Sequence, residues 1–329
     1  MPWSIPEWDE QQKVTDDLQS IFNESSQSAI AEMGGNKLFD VRDTDRRTYD
    51  HLILHGLDVV QAVAQGSDLP STTSVQGDTA TYTQQRYGGI VSVTKDMRLF
   101  DLHDQIESIV RSAADDAFHK IDQSMADLLT NGFSASNYTD VFGQSVAATG
   151  PDGLALFSAS HTNNINSNTF RNLIRYNGSN SPILGREAVI SAIVDAMNHL
   201  DPLTKNRPVK LDTLIVSPAN WDLAVRMVES EKISGSAEND TNMNLRNRLK
   251  VQVWEKLTTR TGGTDTSAYW FMADSKKSGE ALKAFFRERP SLDAPEQVYK
   301  NKNWDYSLDF YMALGRGYMK GIWGSQGTA

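Results

Sequence analysis

Between Leu102 and Asn131 apolar side chains fall at Leu102, Ile106, Ile109, Ala113, Ala117, Ile121, Met125 and Leu128. Seven intervals cover 26 residues, a mean step of about 3.7. That is the period of one face of a straight helix rather than the roughly 3.5 of a coiled-coil seam. Val110, Ala114, Phe118 and Leu129 widen the stripe, and Asp104, Glu107, Arg111, Asp115, Asp122 and Asp127 read as its solvent side. Asp101 or Asp104 is placed to cap the start, and Gly132 to end the helix in a left-handed turn. At 1.5 Å per residue such a helix reaches roughly 45 Å, a spine on which sheet elements can be laid.

The opposite periodicity marks the C-terminus. In WDYSLDFYMAL, Trp304, Tyr306, Leu308, Phe310, Met312 and Leu314 alternate with Asp305, Ser307, Asp309, Tyr311 and Ala313, which predicts a strand of unusual length that can run beside the helix. A turn at Gly315-Arg316-Gly317 follows, leading into Tyr318–Trp323.

From Leu52 to Lys95 a β-rich run, LILHGLDVVQAVAQ, leads to a polar tip, GSDLPSTTSVQGDTA. The chain returns as TYTQQRYGGIVSVTK, with a bulge predicted at Gly88-Gly89. Thr, Gln and Ser occupy both faces, and a polar two-stranded ribbon buries too little to stand alone. Either its own core or a neighbouring subunit must lie under it. At the N-terminus Trp3, Ile5 and Trp8 sit among prolines, either as a strand tucked on the domain or as an arm on a neighbour. A short helix is predicted over 12–22, and Gly34-Gly35 breaks the chain.

Residues 181–289 read as an α/β unit. A helix over 186–200 turns Ala188, Val189, Ala192, Ile193, Ala196 and Leu200 inward, and 211–216 is a buried strand. Ser217-Pro218 reads as an N-cap with proline at the first helical position. Glu231–Asn247 reads as a mobile loop, with strands at 250–257, 269–273 and 281–287. In the loop-rich 133–176 stretch, LALF at 154–157 reads as a short buried strand.

The chain has 329 residues, 39% of them hydrophobic, so it can build a real core. It has no Cys, which excludes disulfides, thiolate metal sites and a Cys nucleophile. A net charge of −10 argues against a protein that coats nucleic acid. No apolar run approaches a bilayer span and no secretory leader is legible, which places the protein in the cytoplasm unless something carries it out.

The search for chemistry comes back empty. His51 and His55 have a metal-pair spacing only if helical, and they lie in a strand pattern without a third ligand. His161 follows Ser158 and Ser160, yet there is no G-x-S-x-G elbow and no neighbouring acidic orienter. GRGYMKG at 315–321 lacks dinucleotide-binding spacing, and there is no phosphate-binding P-loop. No catalytic residue, cofactor or metal is expected.

The order of the parts resembles the major capsid (major head) proteins of tailed bacteriophages, with the Hong Kong 97-type capsid fold, closest to Mu-type major head subunits. The residues that carry the likeness are YGGIVSVTKDMRLFDL (87–102), DGLALFSASHTN (152–163), TLIVSPANWDLA (213–224) and DYSLDFYMALGRGYMKGIWGSQGT (305–328). The resemblance implies an α+β fold with an N-terminal arm (1–49) and an extended β-hairpin loop (50–96). A spine-helix peripheral domain (97–181 and 281–329) and an α/β axial domain (182–280) complete it. It implies a subunit that assembles into pentamers and hexamers of an icosahedral shell. That shell encloses double-stranded DNA without reading its sequence, and portal, scaffolding or decoration proteins are its possible partners. Trp3, Trp8, Leu69, Tyr82, Arg86 and Tyr87 are the interface residues expected on the arm and ribbon. No Lys lies between Tyr49 and Val93, so the Lys–Asn crosslink of some relatives is not expected at the loop tip. No long, charged, helical N-terminal segment of the fused-scaffold kind is read, so a scaffold would be a separate chain. The rivals are an encapsulin-like compartment of the same fold and an α/β hydrolase using His161 with Asp152.

Overall fold

The computed structural model describes residues 6–55, 62–63, 65–69, 75–100, 103–162, 169–199, 208–232, 242 and 245–328. In chain order the first elements are α1 (Pro6–Glu32), β1 (Asp40–Asp43), β2 (Thr48–His55), β3 (Val75–Thr83) and β4 (Gln85–Val93). Next come α2 (Lys95–Leu99), α3 (His103–Thr130), and the short β5 (Tyr138–Thr139), β6 (Ser145–Val146), β7 (Arg175–Tyr176) and β8 (Ser179–Asn180). The remainder are α4 (Arg186–Met197), β9 (Thr213–Val216), α5 (Trp221–Glu229), β10 (Lys250–Val253), β11 (Trp270–Ala273), α6 (Ser278–Ala281), β12 (Leu282–Leu292), β13 (Glu296–Gln297), β14 (Trp304–Arg316) and β15 (Ile322–Ser325).

The spine helix is α3, as its period dictates. From Ile121 to Thr130 it is buried on nearly every side, because it passes between two sheets. Met125, Leu128 and Leu129 share one core with Phe286, Phe310 and Met312 of the first sheet and with Ile215, Phe271 and Ile322 of the second. Two carboxylates assigned to its solvent side are therefore buried. Asp122 Oδ1 accepts from the Gly35 N–H and Oδ2 from Trp254 Nε1, both at 2.9 Å. Asp127 Oδ1 accepts from Gln123 Nε2 and the Thr261 N–H at 2.9 and 3.0 Å. Gly132 does not take a left-handed conformation. The helix runs on into a 3-10 turn, Asn131–Phe133, and a Cβ on Gly132 would meet the Phe157 ring at 2.9 Å.

The N-terminal helix is far longer than the 12–22 read from sequence, running 27 residues from Pro6. Beyond Phe22 its inward stripe turns small, through Ser25, Ser26 and Ala29, which hides it from a search for large apolar side chains. Small residues are what let α1 lie close along α3, where Ser25 Oγ donates to Asp115 Oδ1 at 2.9 Å. Leu18 and Phe22 pack with Val110, Ala114 and Tyr306. Burying two such side chains is worth about 3–6 kcal/mol. Trp8 thus belongs to a helix and not to a strand, while Trp3 and Ile5 lie outside the described residues.

The first sheet has the order β1-β12-β14, with β4 and β13 both on β14. No bulge occurs at Gly88-Gly89; β4 pairs with β14 in unbroken register from Val93↔Trp304 to Gln85↔Met312. Gly88 is there for a close approach, since a Cβ would lie 2.8 Å from the Leu308 carbonyl oxygen, whereas Gly89 faces open space. The irregularity sits in β12, between Phe286 and Ser291, where Pro290 has no N–H to give the ladder. The return strand of the predicted ribbon is consequently part of the main sheet, and only β2 and β3 form the two-stranded excursion.

The second sheet, β10-β9-β11-β15, packs against α4, with Ala188, Val189, Ala192, Ile193 and Ala196 inward as read. Ser217 does not cap a helix; its hydroxyl bonds to the Ser267 carbonyl, and Pro218–Asn220 form a 3-10 turn ahead of α5. Residues 154–157 form no strand, although Leu156 and Phe157 are buried. Most of the predicted 231–247 loop lies outside the described residues. The chain's last strand, β15, crosses from the first sheet to pair with β11 in the second.

Candidate assembly site

The features that sequence offered as chemistry resolve into structure. His51 and His55 lie on β2, four residues apart in extended chain, so roughly 13 Å separates them. Among the described residues no group of three or more His, Cys, Asp or Glu converges as a metal site. His161 does have an acidic orienter, nine residues back: its Nδ1 is 2.6 Å from Asp152 Oδ2. The ring is fully buried, with Nε2 at 3.0 Å from Asn172 Oδ1 and 3.2 Å from the Leu156 carbonyl oxygen. Ser158 Oγ accepts from the Ser160 N–H instead of meeting the imidazole. A histidine with both nitrogens engaged and no exposed surface cannot activate a hydroxyl for a substrate. It ties Asp152 and Leu156 to Asn172.

No turn forms at Gly315-Arg316; both residues belong to the end of β14, paired with Lys283 and Leu282 at the ribbon root. The Tyr82 ring lies where a Cβ on Gly315 would be, 2.3 Å from two ring carbons, and its hydroxyl donates to the Arg316 carbonyl at 3.1 Å. A Cβ on Gly317 would sit 2.2 Å from the Glu280 carbonyl oxygen. Tyr49 and Tyr82 pack their rings on Phe285 at 4.8 and 5.0 Å, so the ribbon is clamped at its base onto the first sheet. Burial pushes the Tyr82 phenol well above its ordinary value. Arg316 is itself buried, with Nη2 on the Leu128 carbonyl at 2.9 Å, and burial lowers its pKa to about 10.

The six interface residues read from sequence separate into three groups. Tyr82, Arg86 and Tyr87 are engaged within their own chain. Tyr87 lies between Phe142 and Phe310 at centroid distances of 4.4 and 5.4 Å, and burial raises its phenol to about 12. Arg86 Nε bonds Asp309 Oδ2 across the β4–β14 pair at 2.9 Å. Leu69, near the ribbon tip, is 83% exposed. Trp3 and the side chain of Trp8 lie outside the described residues. Sequence reading missed other outward apolar side chains: Ile90 on β4, Phe100 after α2, Trp221 opening α5 and Tyr299, all more than half exposed. A β4 with Ile90 outward needed the register with β14 before it could be seen.

A spine helix held between two sheets, with a two-stranded ribbon clamped at its base, is the Hong Kong 97-type arrangement of shell subunits. Residues 77–319 match the family described as phage capsid protein, well over half of the chain, and the chain belongs to that family. Solved structures agree in fold. The capsid of an empty GTA particle is 12% identical with a TM-score of 0.52, covering 89% of each chain. The capsid of Ralstonia phage GP4 is 10% identical with a TM-score of 0.50, covering 87% of this chain and 85% of its own. A virus-like particle from Pyrococcus furiosus is 10% identical with a TM-score of 0.50, covering 94% and 98%. No curated protein matches the sequence. The family match and these solved structures do not single out Mu-type subunits.

Proposed function

We propose that this chain is the major capsid protein of a tailed-phage head, a structural component of the virion that assembles in the host cytoplasm and performs no catalysis. The observation that carries the reading is the phage-capsid match over 77–319, which takes in β4, the spine helix and every strand of the two sheets except β1 and β15. Copies gather as pentamers and hexamers into an icosahedral shell around double-stranded DNA. Portal, scaffolding or decoration proteins complete the particle.

Residues 50–96 act as the extended loop, 97–181 with 281–329 as the peripheral domain, and 182–280 as the axial domain to which β15 adds its strand. Leu69, with Trp3 and Trp8, contacts the neighbour. Tyr82, Arg86 and Tyr87 set the angle at which the ribbon is offered. Purified protein should sediment as capsomers or larger and show rings or shells in negative-stain micrographs. A monodisperse monomer at high concentration would overturn the reading.

The alternative on the same fold is an encapsulin-like cellular compartment. Particles containing nuclease-protected DNA would select the phage head; particles containing a protein cargo would select the compartment.

A further inference from the structure

A cleft of about 640 Å³ opens at the ribbon root, between β1, β2, α6 and the start of β12. Lys37, Arg42, Lys276 and Lys283 face it, against Asp40 and Glu280, with His51 on its wall. Four cations against two carboxylates leave a local excess of two positive charges on a chain whose net charge is −10.

Asp40 is already engaged, by Arg42 Nε at 3.0 Å and by the nearly buried Lys283 Nζ at 3.1 Å. Lys37 and Lys276 are exposed and take part in no ion pair among the described residues. Nδ1 of His51 is buried and meets no hydrogen-bond partner there. Burial, and then the charges of Lys283 and Arg42, hold His51 below its ordinary pKa. An unpartnered buried nitrogen and two unpaired ammonium groups around one opening ask for an acceptor with negative charge.

The same chain carries the complement elsewhere. Along α1 and α3 two adjoining hollows, which share Arg111 and Asp115, present Glu24, Glu32, Glu107 and Asp115, and among the described residues only Glu24 of these four is ion-paired, to Arg111. Two complementary patches at different places on one molecule make a head-to-tail contact between copies. Glu280 inside the cleft disfavours a polyphosphate strand, which would bring several charges past it. We propose that this cleft receives the acidic α1/α3 surface of a neighbouring copy, a carboxylate of which is held by Lys37, Lys276 and His51. The proposal rests on the shell reading above.

The test measures the protein concentration at which assembly begins, by light scattering and sedimentation, across a salt series. Wild type should need more protein as salt rises, because screening weakens an exposed charge contact. Lys37→Glu with Lys276→Glu, both on exposed side chains, should leave the subunit's melting temperature unchanged. It should raise the assembly concentration by about tenfold and flatten its salt dependence. Adding Glu32→Lys and Glu107→Lys to that variant should restore assembly. Assembly of the double variant at the wild-type concentration would overturn the proposal, whether or not it loses affinity for a short DNA duplex. Such a loss would make the cleft a phosphate site. A quadruple variant no better than the double would remove α1/α3 as the occupant. If wild type itself never assembles, the shell reading is what has failed.

Discussion

Gly88 and Gly89 stand side by side and do different things. A Cβ on Gly88 meets a backbone oxygen of β14; one on Gly89 meets nothing within 4 Å. Gly88→Ala should therefore cost about 1–3 kcal/mol through crowding, while Gly89→Ala should be neutral or slightly stabilising by about 0.5 kcal/mol. Urea unfolding midpoints of the two variants decide it. Asp122 shows the same dependence on context. Asp122→Ala would leave a buried backbone N–H and an indole N–H unpaired, at about 2–5 kcal/mol in the same assay.

The buried phenols add a pH signature. Burial raises Tyr82, Tyr87 and Tyr138, with Tyr87 at about 12. A raised folded value means that the stability from keeping a phenol neutral is whole below the unfolded value of about 10 and is lost as pH climbs through the folded one. Spectrophotometric titration at pH 11 should leave these three un-ionised in the folded chain, and Tyr87→Phe should remove one of the delayed protons.

At the scale of elements, α3 and β14 were legible because each repeats large apolar side chains at one strict period. Helix α1 was legible only in part, since the stripe that docks it on α3 is built from Ser25, Ser26 and Ala29. Periodicity cannot distinguish a small inward residue from an outward one. The ribbon was legible as polar and two-stranded, yet its return strand was misplaced. Nothing local says whether a strand pairs with its sequence neighbour β3 or with β14, more than two hundred residues away. Gly315→Ala should loosen the root clamp by driving Tyr82 from its slot. Domain-resolved hydrogen exchange should show faster exchange in β2 and β3 with β9–β11 unchanged.

At the scale of the molecule, one core joins α3 to both sheets, and the chain itself ties them where β15 leaves the first sheet to pair with β11 in the second. A subunit built this way can present distant patches at fixed angles, which is what a shell contact demands. Among the described residues no helix is long and apolar enough to cross a membrane. Outward among the described residues are Leu69 and apolar side chains such as Tyr299, together with the basic cleft and the acidic α1/α3 surface.

Period and chain order alone determined the spine helix, the long strand, the α/β unit and the resemblance to phage head subunits, because those depend on side-chain spacing along one segment. Tertiary structure alone decided that Asp122 and Asp127 are buried, that Tyr82 fills a glycine slot, that β4 leaves the ribbon and that cations from two distant stretches of chain, 37–42 and 276–283, share one cleft. Each of these is a contact between residues far apart in the chain, and such contacts are set by how finished elements pack.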